Sequence, residues 1–224
     1  MFDQYNEWLT DRLGKFTASE IWKLTEKGRG GEYFGKGAKT YIRQKAAEIL
    51  TQEPVNGGRA NISSLEWGSA HEFEACKKFE EVTGLSASYL GGANPKFYDY
   101  TAFSGGSPDG LTSDKMVLEI KCPYNSGEHV EHLLLNSAED LKDYYPEAYW
   151  QIMFNIICTD SEGGYFISYD PRFAEHPLRL KYITIEKDEA AIALLKERLT
   201  EAEKQLAVMI GLVRELLPVN NNNG

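Results

Sequence analysis

The chain has no apolar run approaching ~20 residues, so a membrane-spanning helix is excluded. Cysteine is scarce. Cys76, Cys122 and Cys158 are odd in number and widely spaced, which fits buried thiols in a reducing compartment and not a disulfide framework. They also fall short of the four thiolates that an iron–sulfur cluster usually takes. Four histidines (His71, His129, His132, His176) lack the paired spacing with cysteine that zinc requires. No Gly-x-Ser-x-Gly nucleophile signal occurs. Residues Gly30 to Lys36 come near a phosphate-binding loop, but Gly37 stands where Ser or Thr should be and no strand precedes it. The first residues, Met1 to Glu7, lack a basic region followed by an apolar stretch, so no secretion signal is expected and a cytoplasmic location is predicted. Positive charge is in deficit too, with a net charge of −10 over 224 residues. Apolar residues at 42% and charged residues at 26% are ordinary for one globular domain with a full core.

The most informative stretch is Ser107-Pro108-Asp109-Gly110, followed nine residues later by Glu119-Ile120-Lys121. Met116 to Lys121 reads as a strand with Leu118 and Ile120 on one face and Val117, Glu119 and Lys121 on the other. Thr112 to Lys115 is turn material. A hairpin centred on Asp114 sets Asp109 opposite Glu119, with Cβ atoms roughly 4.5–5.5 Å apart. Two carboxylates that close repel unless a cation lies between them, and hard oxygen ligands favour Mg²⁺ or Mn²⁺. Lys121 shares their face and reaches toward whatever the cation holds. The blander alternative is a solvated Glu-x-Lys pair beside an ordinary Asp-Gly turn.

The rest of the chain reads as a mixed α/β (α+β) fold, a central mixed sheet flanked by helices. Thr17-Ala18-Ser19-Glu20 has the form of a capping box opening a short helix to about Lys23. Gly28–Gly37 is a loop, Lys39–Thr51 a helix with Tyr41, Ile42, Ala46, Ile49 and Leu50 on its apolar face, and Pro54–Gly58 a break. Ser63 or Ser64 caps a long helix, Leu65–Val82, ended by Gly84. Strands are expected at Ser86–Leu90, Lys96–Tyr100, Thr101–Phe103, Gly164–Tyr169 and Leu180–Ile185, and a buried helix at Glu147–Cys158. The spacing of Ile192, Leu195, Leu199, Ala202, Leu206, Met209, Val213 and Leu216 gives a heptad seam on a helix over about 188–217, packed on its own domain or on another subunit. One domain over 1–218 and a disordered tail over 219–224 complete the organisation. Lys27–Lys45 holds six basic residues against Glu32 alone, so this segment is +5 and the remainder −15. Tyr33, Phe34 and Tyr41 lie among these charges, a mixture suited to guiding nucleic acid, although a solvated loop and helix face would read the same.

Pro108-Asp109 with Glu119-x-Lys121 resembles the PD-(D/E)xK nuclease signature of restriction-endonuclease-like cores. Ser107, Gly110, Leu111, Cys122 and Pro123 extend the likeness to the phage lambda exonuclease (YqaJ-type viral recombinase) family. Trp8, Arg12-Leu13-Gly14 and Phe16 to Glu20 resemble that family's opening motif, and Trp67-Gly68 with Glu72 its W-G-x-x-x-E segment. Ala148 to Gln151 resembles its helix carrying a glutamine near the site, and Tyr165-Phe166, Tyr169 to Arg172 and Ile185 to Glu189 its closing strands. The resemblance implies a Mg²⁺-dependent 5′→3′ exonuclease on double-stranded DNA ends that releases 5′-mononucleotides and leaves a 3′ tail. It assigns the metal to Asp109, Glu119, Glu72 and the Ile120 carbonyl, with Glu66 the weaker alternative to Glu72. Lys121 would orient or deprotonate the attacking water. Arg12 and Ser19 would hold the 5′-phosphate at a helix N-terminus, with Ser107, Gln151, Arg29 and Lys36 also on the DNA. A ring-shaped homotrimer, a single-strand annealing protein as partner and a phage or prophage setting are implied as well. One departure stands out: the arginine that steers DNA after Lys-Cys-Pro in the lambda enzyme is missing from Tyr124 to Glu128. An endonuclease of the same superfamily and a non-catalytic DNA-end-binding module are the alternatives.

Overall fold

Two short sheets carry the chain's chemistry-bearing strands. A computed structural model describes residues 2–55, 62–92 and 95–217, with the side chains of 2–6, 62 and 65 outside that description. The expected tail and the far end of the Pro54–Gly58 break lie outside the described residues. The helices are α1 (Phe2–Arg12), α2 (Lys36–Thr51), α3 (Ile62–Thr83), α4 (Ser126–Leu133), α5 (Ala138–Tyr144), α6 (Pro146–Thr159) and α7 (Glu189–Arg214). The strands are β1 (Phe16–Thr17), β2 (Ala87–Tyr89), β3 (Tyr98–Thr101), β4 (Ser104–Gly106), β5 (Gly110–Thr112), β6 (Met116–Lys121), β7 (Gly163–Tyr169) and β8 (Leu180–Glu186). They form a three-stranded sheet in the order β1-β4-β3 and a five-stranded sheet in the order β2-β5-β6-β7-β8. Both are mixed: β1 runs parallel to β4 and β6 parallel to β7, while the other pairs are antiparallel.

The period of two along β6 divides its side chains between two cores. Val117 joins Phe166, Ile183 and Ile185 under α6 and α7. Leu118 and Ile120 join Tyr165 and Ile167 against Ala75, Cys76 and Phe79 of α3. Pro146 opens α6, where its fixed φ costs nothing, and the helix is apolar almost all round because both the sheet and the segment after β1 cover it. On α7, Asp188 caps the first turn, accepting from the Ala190 and Ala191 amides at 3.0 Å each. Its seam residues Ile192, Leu195, Leu199, Ala202 and Leu206 are buried in the chain's own core, whereas Val213 and Leu216 are exposed. Most of the heptad seam is therefore intramolecular and cannot zip a dimer.

Several expectations give way. The Thr17 capping box does not form. Thr17 lies in β1, its hydroxyl turns to Ser19 and Tyr41, and Glu20 pairs with Lys23. Ala18–Leu24 is a 3₁₀ helix of seven residues. Ser63 and Ser64 lie inside α3, not at its cap. Residues 102 and 103 are a turn, and the strand is Ser104–Gly106 instead. No periodicity could announce that strand, because a Cβ at Gly105 would stand 2.5 Å from the Tyr98 carbonyl and one at Gly106 2.3 Å from Asn155 Oδ1. Leu50 is exposed. Lys45 is buried and bound to Glu48 at 2.9 Å, so it guides nothing, and Lys39 pairs with Glu32 at 2.7 Å. Helices α1, α4 and α5 were not anticipated, although Ser137 and Asp140 form a complete capping box at α5.

Tyrosine phenols repeatedly donate to carboxylates between elements. Tyr33 bonds Glu197 (2.7 Å), Tyr89 Glu72 (2.9 Å), Tyr145 Glu131 (2.6 Å) and Tyr149 Asp188 (2.7 Å). Tyr165 bonds Asp114 (2.9 Å) and Tyr169 bonds Glu74 (2.7 Å).

Candidate active site

The β5–β6 hairpin has the expected register, with Gly110 paired to Leu118 and Leu111 to Val117, and Asp109 lies just before the first paired residue, beside the Leu118–Ile120 stretch of β6. The backbone fixes it there, because the Asp109 amide donates to the Leu118 carbonyl at 3.0 Å. Its side chain is fixed as well: Oδ2 accepts from the Ile120 amide at 2.6 Å. Glu119 is fully buried; Oε1 accepts from Lys121 Nζ at 2.6 Å, and Oε2 has no hydrogen-bond partner. An orphaned carboxylate oxygen in the interior is costly unless something charged meets it.

Loss of surrounding water, then the neighbouring Glu119 and Glu72 carboxylates, push the Asp109 carboxyl well above its usual range. Burial also raises Glu119, despite the Lys121 ammonium. Burial alone would lower Lys121, but the Glu119 and Asp109 carboxylates outweigh it and hold the amine charged. Glu72 comes from α3, the helix whose Ala75, Cys76 and Phe79 cover Leu118 and Ile120, and its Oε2 accepts from the Tyr89 phenol at 2.9 Å. Among the described residues no three His, Cys, Asp or Glu side chains converge as a ready ligand set. Asp109 and Glu119 form the pair, with Glu72 close enough to act on both electrostatically; Glu66 is exposed on α3.

A second cluster lies beside this corner. Trp8 Nε1 of α1 donates to Ser107 Oγ at 2.9 Å, two residues upstream of Asp109. The Arg12 guanidinium lies 4.3 Å over the Trp8 ring and reaches Ser19 Oγ at 3.4 Å. Trp8, Arg12, Ser19 and Ser107 are thus brought together. The helix N-terminus expected at Ser19 is not, since the residue sits in the short 3₁₀ segment. Gln151 is half-buried on α6, over the sheet face that carries Glu119. Arg29 and Lys36 are exposed, but α2 packs mainly against α7 and the 3₁₀ segment, away from the hairpin.

Two features escaped sequence reasoning. The first is a guanidinium at the turn after β6, supplied from the far end of β7. Arg172 grips both oxygens of buried Asp170 (Nε and Nη2 at 2.8 Å) and donates to the Pro123 and Tyr124 carbonyls at 3.0 Å each. It also stacks 4.2 Å over Trp67 of α3. Burial opposes ionisation of Asp170, yet the hydrogen bonds from Arg172 lower its pKa to about 2. The second is a buried relay behind Lys121. Ser168, the β7 partner of Lys121, lies 2.7 Å from His129 Nδ1 and 2.8 Å from His132 Nδ1. His129 Nε2 lies 2.9 Å from the Leu178 carbonyl, which only accepts. Neutral His129 therefore donates there and accepts from Ser168 at Nδ1, leaving the Ser168 oxygen to accept from His132 Nδ1–H. The spacing of His129 and His132 on one face of α4 was the available signal.

Among curated proteins none matches the chain. A structure of an alkaline exonuclease (LHK-Exo) from Laribacter hongkongensis is similar at 26% identity and TM-score 0.76, over 94% of this chain and 96% of that one. The same enzyme in complex with dAMP matches at 25% and 0.73, over 94% and 96%. A phage-related exonuclease from Haemophilus somnus 129PT, at 17% identity and TM-score 0.69 over 91% and 96%, shares the fold. Residues 7–162 match the model of the YqaJ-like viral recombinase domain, a span holding the Trp8–Arg12 cluster, Glu72 and the whole hairpin, and the chain belongs to that family.

Proposed function

We propose that this protein is a Mg²⁺-dependent 5′→3′ exonuclease on double-stranded DNA that releases 5′-mononucleotides and leaves 3′ single-stranded tails. Family membership and the likeness to the alkaline exonuclease structures support a nuclease of the lambda exonuclease type. The observation that carries the finer reading is the Asp109–Glu119 pair, set in register with one buried carboxylate oxygen unpartnered and an ammonium beside it. That donor set suits a hard divalent cation, Mg²⁺ or Mn²⁺, held by Asp109 and Glu119, with Glu72 and the Ile120 carbonyl as further ligands. When bound, the cation supplies Lewis-acid polarisation at the phosphate and makes water available as a nucleophile near neutral pH.

The chain's own groups do the rest. Lys121, kept charged by its carboxylate neighbours, orients the attacking water and offsets charge developing on the phosphate; its ammonium form supports this role over proton removal. The Ile120 amide keeps Asp109 from rotating out of the pair. Arg12 and Ser19, braced by Trp8, receive the 5′-terminal phosphate beside Ser107, and Gln151 contacts the strand near the scissile bond. Arg29 and Lys36 meet phosphates farther away. A closed homotrimer with basic groups inside would let a chain of net charge −10 hold DNA. A single-strand annealing protein would take the 3′ tail, in the cytoplasm of a bacterial host.

Linear duplex labelled at either end, alongside a closed circle, tests this with and without Mg²⁺. Stepwise release of mononucleotides from 5′ ends only, stopped by EDTA, is expected; Ca²⁺ should permit binding without efficient turnover. Nicking of the circle would move the reading to an endonuclease. Light scattering should give about three times the 25.3 kDa chain mass.

A further inference from the structure

Glu72 differs from the two sheet carboxylates in how it is held. Glu119 is fixed in the strand ladder and Asp109 by backbone hydrogen bonds to β6, whereas Glu72 stands on a helix, near enough to feel both like charges. Repulsion alone would turn it toward solvent. What opposes this is Tyr89, whose phenol donates to Glu72 Oε2 at 2.9 Å.

Tyr89 is itself unusually constrained. It ends β2, paired in register with Gly110, the residue after Asp109, and the next amide, Leu90, donates to the Asp109 carbonyl at 2.8 Å. Its ring packs edge-on against Phe73 of α3, with centroids 5.6 Å apart. The chain then turns back over the phenol. A Cβ at Gly91 would stand 2.6 Å from the Tyr89 oxygen, and Gly92 follows with φ +64. One end of this side chain is thereby indexed to Asp109 and the other to Glu72.

We propose that Tyr89 is a positioning residue that fixes Glu72 relative to Asp109, engaging Oε2 and leaving Oε1 for the divalent cation. The proposal rests on the reading of Asp109, Glu119 and Glu72 as cation ligands. A neutral donor suits this task, since it holds the carboxylate in place without neutralising the charge the cation needs. Tyr89→Phe keeps the ring and the Phe73 contact and removes only the hydrogen bond.

The test is Mn²⁺ binding to the full chain, followed by the electron paramagnetic resonance signal of the free ion, with a thermal melt of the metal-free protein. Tyr89→Phe should weaken Mn²⁺ binding about 10-fold, with a melting temperature close to wild type. Glu72→Gln should weaken it at least as much, and the double variant should be no worse than Glu72→Gln alone. Gly91→Ala, which displaces the phenol by sterics, should reproduce the loss with the tyrosine intact. If Tyr89→Phe and Gly91→Ala bind Mn²⁺ as tightly as wild type or more tightly, Tyr89 does not position the ligand. The same conclusion follows if Tyr89→Phe and Glu72→Gln add fully. Separately, wild-type binding by Asp109→Asn and Glu119→Gln would overturn the ligand reading itself, and the Tyr89 proposal with it.

Discussion

The Asp109–Glu119–Lys121 corner and the Trp8–Arg12–Ser19–Ser107 cluster adjoin one another and are built in opposite ways. The corner is made by a backbone ladder, and its side chains inherit their positions from the register of one hairpin. The cluster draws on α1, the 3₁₀ segment and the link before β5, joined through side-chain contacts. On the proposed reading, chemistry that needs two carboxylates held to a fraction of an ångström is placed on the rigid element, and recognition of a chain end, which must admit and release its ligand, where rotamers can adjust.

That contrast predicts different failures. The largest belongs to the corner. Asp109→Ala, Glu119→Ala and Lys121→Ala should each lower the cleavage rate by ~10²–10⁴ or more without unfolding the chain. Near-normal turnover of any of them in Mg²⁺ would remove that residue from the site. Because the two carboxylates repel, Asp109→Asn should melt no earlier than wild type when metal is absent.

Next comes the brace behind the corner. Arg172→Ala leaves buried Asp170 with the residue-172 amide but without the guanidinium, and should cost about 1.5–3 kcal/mol, read from denaturant unfolding. A cost below 1 kcal/mol would mean that Asp170 finds other donors.

The histidine relay gives a pH dependence. Burial, then His129 and Lys121, lowers the pKa of His132 from 6.5 to about 4. The unfolded chain then binds more protons than the folded one between these values. Stability should fall as pH drops below 6.5, by about 2–3 kcal/mol at pH 4. His132→Gln should flatten that slope, and an unchanged slope would show that His132 does not titrate on unfolding.

The smallest effects should come from the Trp8–Arg12–Ser19–Ser107 cluster. Arg12→Ala should erase a preference for 5′-phosphorylated over 5′-hydroxyl duplex of about 10-fold, leaving Mg²⁺ dependence unchanged. Trp8→Phe, which removes one hydrogen bond to Ser107, should lower that preference only a few-fold. Equal wild-type rates on both ends would dissolve the distinction between the two regions.

What was legible in the sequence follows the same division. The hairpin register could be counted from the turn at Asp114, because strand pairing is a property of local spacing. The seam of α7 was visible, but its partner was not, since a heptad pattern is the same whether it meets its own core or another chain. Arg172 was hidden because sequence distance conceals a guanidinium that returns to the Pro123–Tyr124 turn from 49 and 48 residues away. Lys45 misled for the converse reason: a lysine counted as surface charge is spent on buried Glu48.

The phenol–carboxylate bonds carry a consequence for ionic strength. With 34 acidic residues against 24 lysines and arginines, a fold tied only by ion pairs would commit most of its cations to its own acids and loosen as salt screened them. Tyr33, Tyr89, Tyr145, Tyr149, Tyr165 and Tyr169 take up carboxylates with neutral donors, which are far less sensitive to screening. Their use leaves lysines and arginines for phosphates, whose grip weakens steeply as salt rises through counterion release. On the proposed reading, added salt should therefore strip DNA from this protein well before it disturbs the Asp109–Glu119–Lys121 corner.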